Sequence, residues 1–145
     1  MKKIYAILNL IVIIGVIFWN YTANSIGING NTVSSLSSEY QNLFTPAGYA
    51  FAIWGIIFIA LLAHGIYQVK KAFLDKKEDE FIAQMGPWLI IANLANAAWL
   101  YFWLNENTGI SVLVMFIILI SLIIIILRLN MERWDAPLPL IAFVW

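Results

Sequence analysis

The sequence predicts an all-α fold, a polytopic transmembrane helix bundle with its N-terminus in the cytoplasm. Three observations predict it. Of the 145 residues, 63% are hydrophobic and only 11% charged, with a mean hydropathy of +0.86, whereas soluble domains carry about a quarter charged residues. The apolar residues gather into four runs, about 4–20, 48–69, 83–104 and 109–128, and a hydrocarbon core of roughly 30 Å takes about 20 helical residues to cross. Finally, no Lys or Arg lies inside these runs, Arg128 standing only at the end of the fourth.

Helices are the reading left for the runs. In lipid the backbone must satisfy its own hydrogen bonds, and the alternating pattern of barrel strands is missing. Lys2 and Lys3 precede the first run, Lys70, Lys71, Lys76 and Lys77 follow the second, and Arg128 and Arg133 follow the fourth. The other two connections carry neither residue, so the positive-inside rule puts the N-terminus, the second connection and the Arg128 region in the cytoplasm. A single bundle is the natural domain count for 1–145.

The first run competes with a secretory signal peptide, since Met1, Lys2 and Lys3 open both. A small-x-small cleavage pair does not follow cleanly, and Trp19 and Tyr21 read as interfacial anchors, so a retained helix is expected. Segment 20–46 is polar and rich in Ser, Asn and Gly; it is either an ordered lid or a mobile connector. The charged stretch 75–80 reads as a solvated cap between helices. Pro137 and Pro139 break the chain before 138–145, an apolar run too short to span. The expectation is that the natural protein continues into a last helix.

Several function classes are excluded early. There is no basic stripe for nucleic acid and no cysteine for disulfides, thiolate metal sites or nucleophiles. No phosphate-binding glycine loop or paired metal-ligand histidines occur. His64, the single histidine, reads as a satisfied interfacial side chain sooner than a haem ligand or proton carrier, because no Asp, Glu, Lys or Arg sits mid-membrane beside it.

The third run is the most informative. At about 100° per residue, Met85, Trp88, Ala92, Asn96, Trp99 and Trp103 share one face, with Asn93 beside it. Trp88 and Trp103 fit an interfacial belt; Trp99 is deeper. An amide in hydrocarbon needs a partner, so Asn96 bonds either to another helix or to a ligand. On the second run Pro46, Ala47 and Gly48 open the helix, Gly48 and Ala52 offer a close-approach face, and Trp54 and Phe58 stack one turn apart or serve as lipid-facing bulk.

These residues resemble the tryptophan-rich sensory protein family, also called the translocator protein or TspO/MBR family. Its second helix opens with Pro-Pro-Gly-Trp-x-Phe and leads to a Trp; Pro46, Ala47, Gly48, Tyr49, Phe51 and Trp54 stand in those places, with Ala47 for the second Pro and Tyr49 for the Trp. Its third helix has an Asn, then Ala-Trp and aromatics, as in Asn96, Ala98, Trp99, Phe102 and Trp103. The resemblance implies a five-helix multi-pass protein, often a homodimer among membrane lipid, of the bacterial plasma membrane. It also implies that the protein binds porphyrin, haem or other tetrapyrroles in a pocket under the first loop, with Pro46, Gly48, Tyr49, Phe51, Trp54, Asn96, Trp99 and Trp103 as the carried-over ligand-binding residues. Some members bind sterols through the last helix, which lies beyond this chain. The leading expectation is a non-catalytic receptor or carrier. The rivals are a light-dependent tetrapyrrole-degrading enzyme and a small transporter or structural partner.

Overall fold

The computed structural model describes residues 1–40, 47–74 and 81–129, and it is all-helical apart from one isolated bridge. Helix α1 spans Lys2–Ile26 and α2 Val33–Glu39. A 3-10 turn, Gly48–Ala52, leads into α3, Ile53–Leu74. Then come α4, Phe81–Met85, α5, Trp88–Leu104, and α6, Thr108–Leu129. Helix α1, the 3-10 turn continued by α3, and α6 are each long and apolar enough to cross a bilayer; α5 is an apolar helix of 17 residues. The protein is thus an all-α transmembrane bundle. The terminal run 138–145, the cap 75–80 and Pro46 lie outside the described residues.

Helix α1 runs past the apolar stretch that predicted it. Its polar last turns stay helical because side chains bond back one turn: Asn20 to the Val16 carbonyl at 3.0 Å, Thr22 to Phe18 at 2.9 Å and Asn24 to Asn20 at 2.9 Å. The helix ends at Gly27, whose φ of 81° few other residues tolerate. A tight turn then pairs Ile28 with Asn31, and Thr32 opens α2 with a capping box. In it, the Ser35 N–H donates to Thr32 Oγ1 at 3.2 Å and the Thr32 N–H to Ser35 Oγ at 2.8 Å. Segment 20–46 is therefore ordered and partly helical as far as Tyr40.

The third run is broken near its start. Gly86, at φ 51°, follows α4, and Pro87 stands as the N-cap of α5, where a missing N–H costs nothing. The break lets α4 pack on α6 and α1.

The packing order is α3, α1, α5, α6. At one end Ala6, Ala72, Ile82, Met85 and Leu129 form a core. Lys3 lies there over Phe73 at 5.1 Å, and Arg128 over Trp88 at 5.7 Å. The described basic residues thus collect at one end of the bundle, as the positive-inside rule requires. At the other end Ala23, Val33, Leu100 and Leu104 form a second core under α2. Trp19, expected as an interfacial anchor, instead donates its indole N–H to the Ala97 carbonyl at 3.2 Å and ties α1 to α5.

The close helix approach is not at Ala52, which is exposed. It is at Gly65, where an added Cβ would stand 3.1 Å from Leu10 Cδ1 and 3.2 Å from Ile13 Cδ1. Gly65→Leu is expected to lower stability by about 1–3 kcal/mol through overpacking. Gly15, with nothing within 4 Å of its Cβ position, should gain up to about 1 kcal/mol as Gly15→Ala from helix propensity alone. Thermal unfolding of the two variants in one detergent checks the contrast.

Candidate functional site

Helices α3 and α5 diverge enough to leave a cavity of about 630 Å³, walled by α3, α5 and α6. Each wall is one helical face at three- and four-residue spacing. Helix α3 gives Trp54, Ile57, Leu61 and His64; α5 gives Leu89, Asn93, Asn96 and Trp99; α6 gives Met115, Leu119, Leu122 and Ile125. Trp54 and His64 are ten residues apart, so the cavity extends about 15 Å along α3 at 1.5 Å per residue.

The outer end is aromatic. Trp54 stacks on Phe58 with centroids 5.9 Å apart and on Trp99 at 6.0 Å, and Trp99 stacks on Trp103 at 6.3 Å with planes 13° apart. The indole N–H groups of Trp99 and Trp103 are buried with no hydrogen-bond partner among the described residues. A buried donor left this way carries a desolvation cost, which a ligand acceptor would offset.

Of the residues singled out in the sequence, Trp54, Asn96 and Trp99 stand together on the cavity wall. Trp103 continues the indole row into the outer core, and Phe51 packs in that core as well. Tyr49 is 85% exposed and away from the cavity. Gly48 only begins the 3-10 turn.

Asn93 lines the wall with its amide N–H bonded to the Leu89 carbonyl at 2.9 Å. The contribution of α6 was invisible in the sequence, because that helix is apolar on every side and has no contrast to read.

The inner end is polar in a way the sequence did not announce. His64, expected at the interface, is buried on the cavity wall. Its Nε2 lies 2.7 Å from Gln68 Nε2, and Gln68 Oε1 accepts from Asn9 Nδ2 of α1 at 2.8 Å. Asn9 and Gln68 are fully buried. The signal was two amides in apolar runs, but their pairing across 59 residues is legible only in three dimensions. Among the described residues no group of three His, Cys, Asp or Glu side chains is placed to hold a metal ion.

Over the outer end, α2 is clasped to the turn between α5 and α6. Asn31 Nδ2 donates to the Leu104 carbonyl and to Glu106 Oε1, both at 3.3 Å, and the Tyr40 hydroxyl donates to Glu106 Oε2 at 3.2 Å. That hydrogen bond, together with the negative charge of Glu106, holds the Tyr40 hydroxyl above the ordinary tyrosine range. A raised value means that the clasp is fully present below the unperturbed pKa of about 10 and is lost as pH rises through the raised one. Amide hydrogen exchange of α2 should therefore speed up above that range in the parent chain. In Glu106→Gln it should already be faster at neutral pH and lose this alkaline step.

A family model described as TSPO-like protein matches residues 6–145. No curated protein and no solved structure matches the chain.

Proposed function

The chain belongs to the TSPO-like protein family, and from that premise we propose that it is a membrane receptor or carrier for a tetrapyrrole, or a ligand of the same flat and hydrophobic kind. The cavity among α3, α5 and α6 is its binding site. The observation that carries this reading is the Trp54–Trp99 stack on the wall of a 630 Å³ space. The volume falls within the range of about 300–1,000 Å³ usual for ligand pockets. Aromatic pairing contributes about 0.5–1.5 kcal/mol beyond area burial. Asn96 and the Trp99 N–H would fix the orientation of the guest.

Among the described residues no Asp, Glu, Lys or Arg lines the cavity, and this chemistry favours passive uptake of an apolar guest over ion-coupled transport. The exposed Ile, Leu and Phe side chains of α3 and α6 fit lipid chains or a second copy of the bundle. In the second reading, light-driven breakdown of the tetrapyrrole, the stacked row of Trp54, Trp99 and Trp103 supplies an indole electron donor beside the guest.

Titration with protoporphyrin should quench tryptophan emission saturably. Trp99→Phe should retain less quenching, and Asn96→Leu should raise Kd about 5- to 30-fold, the equivalent of roughly 1–2 kcal/mol. Unchanged emission of the parent chain at saturating porphyrin sinks the binding reading. Product formation under illumination, lost in Trp99→Phe while binding persists, would select the light-driven reading.

A further inference from the structure

The inner end of α3 carries a feature that the cavity does not use. A hollow of about 300 Å³ lies there, lined by Tyr67, Lys70, Lys71 and Leu74, which share one stripe of the helix at three- and four-residue spacing. Lys71 holds its ammonium 5.9 Å from the centre of the Tyr67 ring. Lys70 is exposed, and among the described residues no ion pair engages it. Phe73, three residues on and so a surface neighbour of Lys70, takes a cation from the next helix: Lys3 of α1 stands 5.1 Å from its ring centroid. Two helices thus bring lysines to one side of the bundle.

Outward of the lysines the same side of α3 is apolar. Ile66, Ile59 and Ile56 are exposed along it. At 1.5 Å per residue Ile59 lies about 16 Å from the level of Lys70, close to the depth of one leaflet in a hydrocarbon core roughly 30 Å thick. A free anion needs only the cations. A headgroup that carries acyl chains needs cations at the interface and an uninterrupted apolar stripe beyond them, and this face offers both. The wider charge balance runs the same way: Glu39 and Glu106 are the acidic residues of the outer end, and every Lys and Arg belongs to the inner flanks and connections.

We infer that this face of α3, with Lys3 of α1, binds an anionic phospholipid of the inner leaflet. The lipid phosphate sits in the hollow against Lys70, and its chains lie along Ile66 and Ile59. Lys3 adds a second positive charge at headgroup level. The site is separate from the cavity and independent of the guest proposed for it.

Native mass spectrometry of the full chain tests the inference. The protein is released from micelles holding equal amounts of phosphatidylglycerol and phosphatidylcholine with the same acyl chains, and the lipid retained on each molecule is counted. Phosphatidylglycerol should be retained in preference. Lys70→Gln and Lys3→Gln should each lower that preference about fivefold, the usual effect of one basic side chain near a bilayer surface. Thermal unfolding in phosphatidylcholine alone should not change in either variant, since both side chains are exposed, and this shows the fold kept. Arg128→Gln removes the same charge from the same end of the bundle, but from α6, at the other end of the packing order from α3. It should leave the preference as in the parent chain.

An equal loss in Arg128→Gln overturns the inference, because overall surface charge then accounts for the preference. Equal retention of the two lipids by the parent chain overturns it as well, and is the result expected if the acidic residues of 75–80 neutralise the lysines. Release of the retained phosphatidylglycerol by water-soluble glycerol phosphate would show a site for a free anion and overturns it too.

Discussion

Once a peptide leaves water for hydrocarbon, every donor and acceptor it carries has to be met inside the protein. The rest of the structure depends on that demand. It makes the long segments helical, and it makes the polar side chains within them act in pairs or bond to their own backbone. Asn20, Thr22, Asn24, Asn93 and Ser121 take the second course, each bonding the carbonyl one turn back. Asn9 and Gln68 take the first. Asn96, half-buried on the cavity wall, takes neither course among the described residues.

The same demand explains which parts of the fold were legible in the sequence. Runs of apolar residues with basic flanks leave little choice, so the second and fourth spans were legible to within a few residues at most ends. Where polar residues bond back to the helix that carries them, composition misleads. The sequence around Asn20 to Asn24 resembles a loop but folds as the end of α1. The break at Gly86 and Pro87 was hidden inside one apolar run, because a left-handed glycine and a proline leave hydropathy almost unchanged.

The candidate site was half legible for a related reason. Helix α5 mixes Trp and Asn into an apolar background, and its face could be read from spacing. Helix α6, apolar along almost its whole length, presents no stripe, and its share of the wall emerges only from packing. Tyr49 and Phe51 belong to the motif that carries the family resemblance, yet one is exposed and the other packs in the outer core. A motif's spacing does not say which of its residues a cavity will use. On α3, the turn from a 3-10 to an α-helix at Ile53 changes the angle per residue from about 120° to about 100°, which shifts the face of everything before it relative to Trp54.

The packing order places the cavity where it is. Helix α1 is wedged between α3 and α5, and Gly65 lets it sit close to α3 at the level of Leu10 and Ile13. Further out, the Trp19–Ala97 bond holds α1 to α5. Both α3 and α5 thus pack on α1, and the space lies between them and α6. The space so formed is faced with stacked indoles at one end and a bonded imidazole at the other.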